Sequence, residues 1–245
     1  MINQPPIGQE AMIAANLARV HAQIAEAALR AERRPESVTL VAVSKTKPLE
    51  AIKVAYNLGI RDFGENRVQE VLEKQATFSP PDLRWHMIGH VQTNKANKVC
   101  GSFAYIHSVD SLHLALSLQR AAEKKSHAEE TAVVQPVLLQ VNISGEARKE
   151  GMTPEETPAI ARQLRSLSHL KVQGLMTVAP LVDDQEQVRP VFQALRQLRD
   201  KLRQEVPEYS WDQLSMGMTD DYPIAIEEGA TIVRVGRAIF GERVK

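Results

Sequence analysis

Between residues 38 and 235 the sequence repeats one unit eight times: a short apolar run rich in β-branched residues, then a segment with helical spacing. The runs fall at 38–43, 60–63, 84–88, 103–107, 133–141, 172–176, 211–215 and 231–235. No other feature restricts the fold as strongly. A helix placed between two strands returns the chain to the end it started from, so consecutive strands must lie parallel. The first run, Val38-Thr39-Leu40-Val41-Ala42-Val43, is apolar on both faces, as a strand covered on both sides should be.

Helical segments read as 48–58, 65–75, 94–100, 110–126, one opening at Thr153, 185–205 and 221–228. Pro48 and Pro154 sit at first turns, Asp110 reads as a cap, and Thr153 with Glu156 forms a capping-box pattern. An extra helix over 9–34 comes first, with Ile13, Leu17, Val20, Ile24 and Ala28 on one stripe and Pro35 beyond its end. Eight such units suit an α/β fold, a single (β/α)8 barrel of the TIM type with an added N-terminal helix. An open doubly wound sheet is the rival, but no glycine-rich dinucleotide fingerprint follows the first strand. Without a linker-like Pro/Gly/Ser stretch or a repeated sequence motif, residues 1–245 are expected to form one domain with its core at about 10–243.

Composition narrows the partners. Lys plus Arg and Asp plus Glu each number 30, so the basic excess that attracts nucleic acid or an anionic membrane is missing. A single cysteine, Cys100, allows neither an intrachain disulfide nor a thiolate metal cluster. No apolar run approaches the roughly 18 residues of a membrane span, and residues 1–6 lack the pattern of a secretory signal. The expectation is a cytoplasmic protein. The arginines at 189, 196, 199 and 203 read as a solvated helix face.

In a barrel of this kind chemistry gathers at the C-terminal ends of the strands. The first strand ends in Ser44-Lys45-Thr46-Lys47-Pro48. Burying an ammonium is costly, and a desolvated lysine becomes a nucleophile toward carbonyls. Lys45 is thus either such an amine or a loop lysine, and Lys47, beside Pro48, suits the loop reading better. The seventh strand ends in Ser215-Met216-Gly217-Met218-Thr219 and the eighth in Arg234-Val235-Gly236-Arg237. Glycine turns at these two loops are where such barrels hold phosphate, although both also serve as tight connections. Arg234 has inward parity and needs an anionic or acceptor partner. Glu65 and Asn66 end the second strand, Glu65 reading as a helix start and Asn66 as a ligand hydrogen-bond group. His86, His90 and His107 could hold zinc, but on strand and turn and without a supporting carboxylate they make a weak metal site.

Six ordered motifs carry more. They are 41–48, Phe63-Gly64-Glu65-Asn66, Trp85-His86-Met87-Ile88-Gly89 with Gln92-Thr93-Asn94-Lys95, Gly174-Leu175-Met176, 214–218 and Val233-Arg234-Val235-Gly236 through Phe240-Gly241. Together they resemble the pyridoxal phosphate homeostasis protein family (the YggS/PROSC group) over about residues 10–243. The resemblance implies a barrel like the N-terminal domain of alanine racemase, with pyridoxal 5′-phosphate held as an internal aldimine on Lys45. It further implies that Ser215 and the backbone N–H groups of Gly236 and Arg237 hold the phosphate, with Met216, Gly217 and Met218 shaping the loop. Arg234 would face the pyridine nitrogen, and Asn66 and Met176 would line the ring. Arg237 stands where relatives often carry a small hydroxyl residue, so its side chain could add charge to the site.

Three functions follow. The first is intracellular homeostasis and supply of the cofactor to apo-enzymes by a monomeric protein without robust turnover. The second is an amino-acid racemase or another pyridoxal-phosphate enzyme, and the third an aldolase with a bare Schiff-base lysine. Racemases of this type use a second domain and an opposing tyrosine, and Tyr56, Tyr105, Tyr209 and Tyr222 offer no obvious strand-end base. The aldolase reading lacks acidic residues beside Lys45 in the first-strand motif. The first function is therefore preferred.

Overall fold

The computed structural model describes residues 7–146 and 148–242. The reading of residues 1–6, and the ends of the 1–245 span, lie outside the described residues. The strands are β1 Thr39–Val43, β2 Asp62–Glu65, β3 Arg84–Met87, β4 Tyr105–Val109, β5 Gln135–Gln140, β6 Leu170–Met176, β7 Gln213–Ser215 and β8 Ile232–Val235. They form a closed barrel in sequence order, and β1 pairs parallel with β8 through Thr39↔Ile232 to Ala42↔Val235. The helices are α1 Ile7–Arg30, α2 Leu49–Asn57, α3 Val68–Thr77, α4 Ala96–Val99, α5 Leu112–Glu129, α6 Thr157–Gln163, α7 Arg189–Glu205, α8 Tyr222–Glu227 and α9 Arg237–Phe240. None of them is long and apolar enough to cross a membrane.

Alternation along each strand sorts the apolar residues into two cores. Leu40, Ala42, Phe63, Met87, Ile106, Leu139, Leu214 and Val233 face outward into the layer beneath the helices. There they meet the stripes of α1 (Ile13, Leu17, Val20, Ile24) and α7 (Phe192, Leu195, Leu198, Leu202). A smaller cluster of Val41, Leu138, Met176 and Ile232 fills the barrel itself. Arg234 pairs in register with Val41, and Ser215 with Met176 and Ile232, so both point inward with that cluster.

The elements depart from the sequence pattern at a few boundaries. α1 ends at Arg30 because Glu32 turns left-handed (φ 54°) and Arg33 N–H folds back onto Ala28 O at 2.8 Å. β2 continues through Glu65, and α3 begins only at Val68. Ser111 rather than Asp110 caps α5, its hydroxyl accepting from Leu114 N–H at 3.2 Å. The Thr153–Glu156 capping box closes reciprocally, at 3.1 Å in each direction, although regular helix starts at Thr157. The arginines of α7 are not simply solvated. Arg189 binds Glu186, Glu227 and Glu228, and Arg196 reaches Glu228 at 3.1 Å, fastening α7 to α8.

Candidate functional site

The C-terminal ends of β1, β2, β7 and β8 bring the expected residues to one rim. Lys45 is half-buried in the turn after β1. The residues on either side of it are tied down. Ser44 Oγ donates to Glu65 Oε1 at 2.7 Å, and Thr46 N–H donates to Glu70 Oε1 at 2.7 Å, with Thr46 left-handed at φ 63°. Lys74 Nζ, on α3, joins these anchors by donating to Ser44 O (3.1 Å), Glu65 Oε1 (2.6 Å) and Glu70 Oε1 (2.8 Å). Glu65 is fully buried, and burial pushes its carboxyl up while Lys74 and Ser44 oppose that shift. Its place in this clamp, not at a helix start, is what the sequence did not reveal. Lys47 serves the backbone as well: Nζ donates to the carbonyls of Phe240, Gly241 and Glu242 at 2.9–3.1 Å.

Asn66 follows β2 directly, and its Oδ1 is a buried acceptor without a partner among the described residues. Gly89 packs against it so closely that a Cβ there would lie 2.5 Å from Asn66 O. Met176 ends β6, buried inside the barrel. Arg234 is 4% exposed, and its Nη1 donates to Ser215 Oγ at 2.6 Å and its Nη2 to Thr177 O at 2.8 Å. Burial lowers the guanidinium to about 10, with Asp221 opposing the shift, so it stays cationic at neutral pH. Ser215 is fully buried, and its hydroxyl also lies 2.8 Å from His107 Nδ1, inside the barrel.

The β7 loop is laced to β8 by Met216 N–H to Ile232 O and Arg234 N–H to Gly217 O, at 3.1 and 3.0 Å. Gly217 is left-handed (φ 92°), and a Cβ there would meet that of Ala225 at 2.6 Å. Met216 is buried in the outer core, so it shapes the loop through its backbone. Met218 N–H is held by Asp221. Gly236 N–H reaches Thr219 Oγ1 at 3.4 Å, and Arg237 opens α9 beside it. The Arg237 side chain turns to Asp220 and Glu242, which neutralise it instead of leaving its charge to the rim. Thr219, like Lys74 and Thr177, was not singled out from sequence, though it stands in the glycine-bearing loop that was.

The histidines separate. His86 Nδ1 and His107 Nε2 face each other at 2.9 Å, a hydrogen-bond distance, so each ring has the other as its partner. His90 instead meets Asp110 at 3.0 Å and Glu150 at 3.4 Å.

A parallel barrel with a lysine after β1, an inward arginine on β8 and glycine turns after β7 and β8 is of the alanine racemase N-terminal type. The family described as alanine racemase, N-terminal domain, matches residues 15–244. The chain belongs to the pyridoxal phosphate homeostasis protein family. It is 44% identical over 227 residues to the member from Aquifex aeolicus and 45% identical over 233 to that from Pseudomonas aeruginosa, covering 93% and 94% of this chain and 96% of each relative. Among solved structures, PipY of Synechococcus elongatus, 40% identical, superposes with TM-scores of 0.82 without PLP and 0.80 with PLP bound, covering 94% of this chain and all of that one. An alanine racemase from Clostridium difficile shares the fold at 16% identity (TM-score 0.72), this chain covering 58% of it.

Proposed function

We propose that this protein binds pyridoxal 5′-phosphate and serves its intracellular homeostasis, holding the cofactor covalently on Lys45 and releasing it to apo-enzymes, as a cytoplasmic monomer without robust turnover. The observation that carries this reading is the convergence of Lys45, Asn66, Arg234 and the Gly236–Arg237 turn on one rim, in a family that bears this name. The donor set fits the group. The guanidinium of Arg234 suits a ring acceptor, the unpartnered Asn66 Oδ1 suits a ring hydroxyl, and the N–H groups of Gly236 and Arg237 suit a phosphate.

Bound pyridoxal phosphate supplies an aldehyde and an electron-withdrawing ring. Lys45 Nζ is the amine that condenses with the aldehyde, releasing water. Arg234 donates toward the ring nitrogen and, unable to accept a proton, disfavours a protonated ring that would serve as a strong electron sink. We assign phosphate holding to the Gly236 and Arg237 N–H groups with Thr219 Oγ1, and Ser215 to holding Arg234, because its hydroxyl is already engaged there. Met176 would line the ring. The tyrosines favour binding over two-base turnover: Tyr56 binds Asp82, Tyr222 binds Gln23 of α1, Tyr209 packs on Trp211, and Tyr105 begins β4 at the opposite end.

The test is the visible spectrum before and after borohydride. Wild type should carry a yellow band that bleaches into a permanent adduct on the peptide containing Lys45, and Lys45→Ala should form no adduct while retaining weaker, phosphate-driven binding. A colourless wild-type protein that stays colourless with added cofactor would sink the reading. Full-stoichiometry reduction at another lysine would move the attachment site.

A further inference from the structure

The barrel interior contains a connected polar chain that neither the Lys45 turn nor the phosphate loop uses. At the N-terminal end, Arg84 Nε and Nη2 hold the two oxygens of Asp62 at 2.7 and 2.6 Å. Asp62 Oδ1 lies 2.9 Å from His86 Nε2, His86 Nδ1 lies 2.9 Å from His107 Nε2, and His107 Nδ1 lies 2.8 Å from Ser215 Oγ. Ser215 then accepts from Arg234 at 2.6 Å. The chain therefore runs from the first residues of β2 and β3 to the rim, through histidines that are 1% and 0% exposed. Tyr105 of β4 stacks on His86 and meets His107 edge-on.

We propose that His86 and His107 are positioning residues, which act through Ser215 to hold Arg234 as a donor to an unprotonated ring nitrogen. The inference rests on the reading that Arg234 faces such a ring. The two ends of the chain dictate its direction. Arginine offers only donors, and an ionised carboxylate only acceptors. Asp62 is ionised: burial pushes its carboxyl up, but hydrogen bonds from His86 and Arg84 outweigh that and bring it below the usual range.

One assignment then satisfies every atom. Arg234 N–H donates to Ser215 Oγ, Ser215 O–H to His107 Nδ1, His107 Nε2–H to His86 Nδ1, and His86 Nε2–H to Asp62. Both imidazoles are neutral in the Nε2–H form. Burial, and then the neighbouring Arg234 cation, keep His107 from accepting a proton near neutrality.

The direction has a consequence for recognition. Because the Ser215 hydrogen is committed to His107, its oxygen is held toward Arg234 as an acceptor. The guanidinium is thereby fixed at Ser215 and Thr177 O, with donors left over for a ligand. An added proton would make His107 Nδ1 a donor, put a second positive charge near Arg234 and release the Ser215 hydrogen. The neutral chain selects a ligand whose ring edge accepts a hydrogen bond, and selects against one that presents N–H.

The test compares binding of pyridoxal 5′-phosphate with that of its 1-deaza analogue, in which CH replaces the ring nitrogen. His107→Leu should weaken the natural ligand about tenfold and leave the analogue unchanged, since one oriented hydrogen bond to a charged group is lost. His107→Asn, which keeps an acceptor where Nδ1 stood, should bind the natural ligand within about threefold of wild type. Equal losses for both ligands, or no loss for either, would overturn the inference and leave the cofactor reading standing. Failure of wild type to bind either ligand would end that reading and the inference with it. The 15N shifts of the histidine side chains in the wild-type protein test the chain without any variant. Nε2–H tautomers at both residues support it, and an imidazolium or Nδ1–H form at His107 overturns it.

Discussion

Two cations stand near the rim, Arg234 buried and Lys74 largely so, and they are held in opposite ways. Lys74 lies between the carboxylates of Glu65 and Glu70, at 2.6 and 2.8 Å, so its charge is met by countercharge. Arg234 is held by a hydroxyl and a carbonyl, both neutral. Taking an ion out of water is offset fully only by opposite charge and hydrogen bonds together. The Lys74 cation is fully countered, although Glu65 Oε2 has no hydrogen-bond partner among the described residues, and its cluster serves the architecture, fixing the backbone on both sides of Lys45. The Arg234 guanidinium has donors left over and no carboxylate bonded to it among the described residues, only Asp221 acting at a distance, and that suits a cation kept for a ligand.

The sharpest way to break the comparison is to take the cation out of the Lys74 cluster. Lys74→Met strands Glu65 in a wall where it has no exposure, and should cost about 3 kcal/mol in denaturant unfolding. Removing Glu65 as well should return part of that loss, because no buried charge is then left unpaired. A single variant as stable as wild type would show that Glu65 is already neutral and that the clamp is not ionic. Since Ser44 and Thr46 lose anchors, borohydride trapping at Lys45 should slow as well, whereas variants in the Arg234 chain should change affinity more than trapping rate.

The neutral chain is broken by acid. His107 is depressed in the folded state, so the unfolded chain, with an ordinary histidine near 6.5, binds the proton more tightly. Stability is therefore held above pH 6.5 and lost, at up to about 1.4 kcal/mol per pH unit, as pH falls from 6.5 toward the folded value. Asp62 acts in the same direction only at lower pH, below 3.8, where its depressed carboxyl begins to protonate in the unfolded chain first. Urea titrations at pH 7 and pH 5 should show wild type losing more stability than His107→Asn. Equal losses would mean that His107 carries its proton in the fold.

The contrast also explains what was legible beforehand. The eight units, the inward parity of Arg234 and the place of Lys45 follow from residues adjacent in sequence, since periodicity and a polar residue closing an apolar run are local signals. Glu65 was not legible, because a polar residue after Phe63-Gly64 looks like a helix start. Its burial depends on Ser44, 21 residues earlier, and Lys74, nine later. The histidines failed for a related reason. His86 and His107 were visible as candidates, but their shared role depends on Asp62 and Ser215, the latter 108 residues beyond His107. The orientation of Ser215 was hidden as well: the strand end was recognisable, but which way its hydroxyl points is decided by the barrel's register.

The smaller effects test where each region ends. Lys47→Met removes three donations to carbonyls at the close of α9 and should cost about 1–2 kcal/mol without changing cofactor affinity, which would confine Lys47 to the architecture. Arg237→Ala should do less still. Its guanidinium is about half exposed and already paired with Asp220 and Glu242, and exposed pairs contribute roughly 0–1 kcal/mol. If the backbone N–H groups at Gly236 and Arg237 hold the phosphate, Arg237→Ala should change affinity less than about twofold. Thr219→Val, which removes the hydroxyl facing Gly236 N–H, should weaken binding about fivefold. The reverse order would mean that Arg237 leaves its acidic partners when the phosphate arrives. The rim would then hold two cations reserved for the ligand, and the contrast between Lys74 and Arg234 would extend to the phosphate end of the site.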